Sequence, residues 1–86
     1  MKIQVTQQHI NQGHRGSCTK DPVALALSDA GYIMPWASPS YIKWMDIHGY
    51  WRETETPSDV YYFMSSFDNN GPVEPFEFEI GEGNVV

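Results

Sequence analysis

The stretch Phe67–Ile80, FDNNGPVEPFEFEI, decides how the chain is read. Its second half alternates. Phe76, Phe78 and Ile80 fall on one side of an extended chain, and Glu77 and Glu79 on the other. One greasy face and one acidic face mark a strand with one side on a core and the other in water. Just upstream, Val60, Phe63, Met64 and Phe67 recur at i, i+3, i+4 and i+7, the spacing of a core-facing helix stripe. Asn70-Gly71 stops that helix. A helix running into a half-buried strand predicts that the two share a core, the signature of an α+β domain.

The same reading extends backwards. Thr56 is placed as an N-cap, with Pro57 first in the helix and Asp59 completing a box-like pairing. Before it, YIKWMDI (41–47) and YWRETE (50–55) flank His48-Gly49. This predicts a hairpin with a tight turn and Gly49 at positive φ. Both faces of the first arm are mixed, so alternation does not choose the buried one. Residues 32–39 contain Pro35 and Pro39, which exclude a central strand and leave a connection or an edge segment. Asp21 caps a further helix, with Pro22 at its first position and Gly31 past its end. Val23 to Leu27 is apolar all round, so that helix is expected to be buried on most sides. At the start, Ile3 and Val5 share one face of a short strand. Thr6 then caps a short helix, with Val5 and Ile10 as a hydrophobic staple and Gly13 as a left-handed stop. The expected order is β-α-α-β-β-α-β in one domain, residues 1–86: a small, mostly antiparallel sheet with helices packed on one face. Residues 81–86 are expected as a mobile tail.

Charge is distributed unevenly along this layout. The net charge is -6. Residues 1–52 carry all five basic groups, Lys2, Arg15, Lys20, Lys43 and Arg52, against Asp21, Asp29 and Asp46. Beyond Arg52 there are only acids: Glu53, Glu55, Asp59, Asp68, Glu74, Glu77, Glu79 and Glu82. A single-sign field of this kind repels nucleic acid and attracts basic protein surfaces. Aromatic residues make up 14% of the chain, more than one small core is expected to hide. The one cysteine, Cys18, leaves no intramolecular disulfide, which suits a reducing compartment such as a bacterial cytoplasm. MKIQVTQQHI lacks the apolar segment of a signal peptide. No apolar run approaches the roughly 20 residues that span a bilayer.

Candidate chemistry is sparse. Cys18 precedes a helix start, where a dipole lowers thiol pKa values, but Asp21 holds the cap and opposes this, so an inert thiol is expected. His9, His14 and Cys18 lack the paired spacing and fourth ligand of a metal site, and none is expected. No Ser/His/Asp pattern, nucleophile elbow, Walker loop or GxGxxG is present. Glu77 and Glu79 lie on one face but are read as solvated charge rather than a glycosidase pair. Trp36, Trp44 and Trp51 are read either as packing between hairpin and helices or as an aromatic shelf for a partner.

Two blocks carry a family resemblance. One is Ile10, Gly13, Ser17, Cys18 and the run Pro22-Val23-Ala24-Leu25-Ala26-Leu27; the other is Phe63, Phe67-Asp68 and Pro72-Val73-Glu74-Pro75-Phe76-Glu77-Phe78. Together they resemble a group of small, mostly uncharacterised phage and prophage proteins. In that group a second cysteine often stands just before the Pro-Val-Ala-Leu run. Here the position is Asp21, so no role of a cysteine pair carries over. The resemblance implies a phage origin.

The expected function is that of a non-enzymatic, phage-encoded binding protein without cofactor. It is read as an acidic inhibitor of a host defence or nucleic-acid-handling protein, anti-CRISPR-like or a DNA mimic. Its partner surface is expected at Asp68, Glu74, Glu77, Glu79, Glu82, Trp44 and Trp51, addressing a host protein with a basic surface. Direct nucleic-acid and membrane binding are not expected, and a homo-oligomer is compatible. Two alternatives stand beside this: a protein that sequesters a nucleotide signal through Trp or Tyr walls and cations among Arg15, Lys20, Lys43 and Arg52, or a structural phage accessory protein.

Overall fold

A computed structural model describes residues 1–86 as an α+β fold built on two antiparallel sheets. The elements in chain order are β1 (Lys2–Val5), α1 (Gln7–Gln12), α2 (Pro22–Asp29), β2 (Ile33–Ala37), β3 (Tyr41–Met45), β4 (Trp51–Glu55), α3 (Ser58–Asp68), β5 (Phe76–Glu79) and β6 (Asn84–Val85). β1 and β5 pair as a two-stranded ribbon; β2, β3, β4 and β6 form a second sheet in that order. The expected single sheet is therefore divided in two.

The alternating stretch behaves as its period dictates. In the ribbon, Ile3 lies opposite Phe78 and Val5 opposite Phe76, so the apolar residues of both strands share one face. Lys2 lies opposite Glu79 and Gln4 opposite Glu77 on the other. Against the apolar face packs the α3 stripe: the Phe63 and Phe76 rings are 4.7 Å apart, and Phe63 stacks on Phe67 at 6.2 Å. α2 adds Val23, Ala24, Ala26 and Leu27, all buried. The larger sheet contributes Ala37, Ile42 and Trp44 to the same 15-residue cluster. Its other face carries Tyr41, Lys43 and Met45, which are only half-buried.

Capping chemistry fixes the helix starts, with one correction. Thr6 accepts from the His9 N–H, and His9 Nδ1 accepts from the Thr6 N–H at 3.0 Å, a capping box with histidine in the usual glutamate place. Asp21 accepts from the Ala24 N–H at 2.7 Å, as expected. Thr56, however, does not cap α3. Its hydroxyl donates to the Ser38 carbonyl at 2.6 Å, tying the chain to the β2–β3 turn, and Pro57 occupies the cap with no side-chain bond.

The connections depart further from expectation. Gly13 is not left-handed; its φ is -70. A glycine is needed there because a Cβ would meet Pro22 Cδ at 2.5 Å. The hairpin is not tight. Strand pairing ends at Met45 and Trp51, and residues 46–50 form a longer turn in which Gly49 does take a positive φ of 83. Asp46 closes this turn by accepting from the His48 and Tyr50 N–H groups. Residues 33–37 form the edge strand left open by the two prolines, with a register shift between Ile33 and Trp36 and Met34 at φ 50. The expected mobile tail instead runs along β4, with Asn84 opposite Glu53 and the Val86 N–H donating to the Trp51 carbonyl.

Truncating Phe63 removes a ring that touches both Phe67 and Phe76 and is 8% exposed. Phe63→Ala is expected to destabilise the fold by roughly 3–5 kcal/mol in denaturant titration. A loss below about 1 kcal/mol places the α3 stripe outside the core.

Candidate functional site

The face of the four-stranded sheet turned away from the core carries a cluster of aromatic side chains. Side chains alternate along β4, so Trp51, Glu53 and Glu55 share this face with Tyr41, Lys43 and Met45 of β3, their partners in register. Trp36 joins from β2, opposite Lys43. The Lys43 ammonium lies 5.7 Å from the Trp36 ring centre and 5.3 Å from that of Tyr41, and the two rings are 5.1 Å apart. One cation is thus held in a cation–π arrangement. Beside it lies a groove of about 680 Å³ walled by Met34, Pro35, Trp36, Tyr50, Trp51 and Val86. Met34 is 62% exposed, Tyr50 59% and Trp51 38%. Met34 is also the left-handed residue beside the register shift. Strain of this kind clusters at ligand-contacting positions.

The carboxylates expected at a partner surface are spread over several places. Glu77 and Glu79 project from the outer face of the ribbon, about 7 Å apart by strand rise. Their neighbours temper the charge: Gln4 Nε2 donates to Glu77 at 3.4 Å, and Lys2 is the residue opposite Glu79. Asp68 sits at the end of α3 and accepts from the Gly16 N–H. Glu74 is exposed in the segment before β5. Glu82 lines a separate cavity with Asp46, His48 and Arg52. Trp44 is a core residue, 6% exposed, with its ring edge-on to Tyr32 at 5.3 Å, which corrects its assignment to the surface. Trp51 alone of the two tryptophans is accessible.

The cations proposed for a phosphate do not converge. Arg15 donates to the Phe67 carbonyl and lies over the Phe67 ring. Lys43 and Arg52 belong to opposite faces of the sheet, since Lys43 pairs with Glu53 and Arg52 with Trp44 in alternating register.

Two arrangements are not apparent from the sequence. Thr6 Oγ1, His9 and Asp29 stand in line: the hydroxyl is 3.1 Å from Nδ1, and Nε2 is 2.6 Å from Asp29 Oδ2. This has the outline of a hydrolase triad. Yet the Nδ1 lone pair already accepts the Thr6 N–H, and the Thr6 oxygen accepts the His9 N–H. The group therefore works as a helix cap tethered to α2. Thr-x-x-His at a helix start is the available signal; Asp29, 20 residues further on, gives none. The second is Asp21, 2% exposed. Burial pushes its carboxyl up to about 7 against the Ala24 hydrogen bond, with the nearby Asp68 charge adding to the rise. Burial also raises the half-buried Cys18 thiol, helped by Asp21 and then Asp68, which opposes thiolate formation.

Comparison of the chain with protein-family models, with curated proteins and with solved structures returned no match.

The Asp21 environment sets a pH dependence. The folded carboxyl binds its proton more tightly than the unfolded one, so its contribution is full at acid pH. It is lost as pH rises from about 4 through about 7, with an upper bound of about 4 kcal/mol. Asp21→Asn keeps a capping oxygen. The variant is expected to gain stability relative to the parent between pH 5 and pH 8 in denaturant titrations. A parent–variant difference that is constant across that range contradicts the raised carboxyl.

Proposed function

We propose that the chain is a non-enzymatic binding protein for a protein partner with a basic surface, anchored on the uncovered face of the four-stranded sheet. The observation that carries this reading is the exposed aromatic groove of Met34, Tyr50 and Trp51 beside Trp36, with Glu53 and Glu55 on the same face. Interfaces draw most of their affinity from a few aromatic anchors in water-excluding pockets, while charges around them set encounter rate and partner choice. Both parts are present here. The ribbon carboxylates Glu77 and Glu79, held outward by the buried Phe78 and Ile80, add to the attraction of a basic surface.

The resemblance to phage proteins supplies the setting: a phage-encoded inhibitor acting in the host cytoplasm on a defence or nucleic-acid-handling protein. The acidic surplus supports a target whose own ligand is an anion. It supports a protein rather than a nucleic acid as the direct partner, because phosphate neutralisation needs clustered Lys and Arg, and Lys43, Arg15 and Arg52 stand apart.

Affinity capture from a host lysate with two variants tests both parts. Trp51→Ala removes the anchor and is expected to cost about 2 kcal/mol or more of partner affinity. Glu77→Lys with Glu79→Lys is expected to leave the fold intact and to weaken and flatten the salt dependence of binding. A stoichiometric partner retained equally by the parent and both variants overturns this reading, as does a nucleic acid as the sole captured species.

A further inference from the structure

A second cavity, of about 610 Å³, opens where the β3–β4 turn meets the end of β5. Arg52 points into it from the inner face of the sheet, next to Trp44. Its guanidinium is fixed from one side: Nε donates to Asp46 Oδ2 at 3.0 Å. Asp46 is itself immobilised, since its other oxygen accepts from the backbone N–H groups of His48 and Tyr50, both at 2.9 Å. The Tyr50 N–H foremost, with Arg52 and His48, holds its carboxyl below the usual carboxylate range, so it stays ionised. No acceptor of the chain takes the two Nη groups of Arg52. The edge of the fork that suits a carboxylate is left free in a cavity walled by Tyr32, Trp44 and Ile80. The Tyr32 hydroxyl also has no partner within the chain, and burial raises its pKa, keeping it a donor.

We propose that this cavity binds a small aromatic carboxylate, its two oxygens taken by the Nη edge of Arg52 and its ring against Tyr32 and Trp44. The charge count selects a monoanion. Two cations line the cavity beside His48, the Arg52 guanidinium and the Met1 ammonium, which donates to the Ile80 carbonyl; Asp46 already pairs with Arg52, and Glu82 faces the same space. A doubly charged phosphate meets too much negative charge here, whereas a carboxylate needs one guanidinium. The apolar walls require a hydrophobic body behind the carboxylate. Glu82 acts as an internal competitor whose charge weakens the site. This site is separate from the proposed partner surface, which lies on the opposite face of the sheet.

Titration with sodium benzoate, followed by the ¹H–¹⁵N signals of the Trp44 indole and residues 46–50, tests the assignment, with acetate and inorganic phosphate as comparison probes. Saturable shifts confined to these residues are expected for benzoate, with acetate and phosphate at least about tenfold weaker. Arg52→Lys keeps the charge but not the fork, and is expected to weaken benzoate binding about tenfold. Glu82→Gln, on an exposed residue, is expected to tighten it several-fold. Benzoate that shifts none of these signals at millimolar concentration overturns the proposal. So does binding that Glu82→Gln leaves unchanged, or a phosphate affinity equal to that of benzoate. The Glu82 variant remains decisive even where Arg52→Lys perturbs folding.

Discussion

The ladder between β1 and β5 is the constraint on which the rest of the structure depends. It joins residues 2–5 to residues 76–79 and is extended by reciprocal bonds between Met1 and Ile80, in which the Met1 ammonium donates at 2.9 Å and the Ile80 N–H donates at 3.0 Å. A two-stranded ribbon alone is marginal in water. This one persists because its apolar face, with Ile3, Val5 and Phe78 nearly inaccessible, is covered by α2 and α3. α2 also packs on β2 and α1 and so joins the ribbon to the larger sheet. The ordering cost of pairing such distant segments must be met before the core rewards it. Once met, it fixes the direction in which Glu77 and Glu79 point, because a shift by one residue exchanges the two faces of the ribbon.

What the sequence disclosed follows from the range of the physics. Period and capping are local, so the α3 stripe, the β5 alternation and the Asp21 cap were readable. Which strands pair is not local. Nothing in Lys2–Val5 names Phe76–Glu79 as its partner, and nothing near the chain end signals that Asn84–Val85 will align with β4. Thr56 had the chemistry of a cap but found the Ser38 carbonyl across the hairpin, a partner visible only in three dimensions. Trp44 and Trp51 illustrate the same limit within the sites. Both faces of β3 are chemically mixed, and only the three-dimensional packing shows that Ile42 and Trp44 face the core, with Trp44 edge-on to Tyr32. That choice leaves Trp51 and Lys43 on the other side. The groove is assembled from β2, the β3–β4 turn, β4 and the final residue, segments that no single motif joins.

Four of the five basic residues lie against local partners, and few cations face the acidic surplus. Arg15 covers the Phe67 ring, Arg52 is held by Asp46, and Lys43 lies over Trp36 and Tyr41. Lys2 is one residue opposite one of the two ribbon carboxylates. Five basic groups against eleven acids leave the eight acids beyond Arg52 largely unneutralised.

An exposed aromatic sheet face is ordinarily an aggregation hazard, and the edges of this sheet show how it is contained. β2 carries Pro35 and a register shift, which deny a neighbouring strand a regular row of donors, while β6 covers β4 for only two residues. The face itself lacks such steric protection. Its protection is electrostatic: two copies meeting through Trp51 also bring together two molecules of net charge -6, with Glu53 and Glu55 on the contacting face. The same charge that opposes self-association would attract the proposed basic partner. Aromatic exposure and acidity are thus coupled features of one surface, the first favouring contact and the second opposing contact with surfaces of like charge.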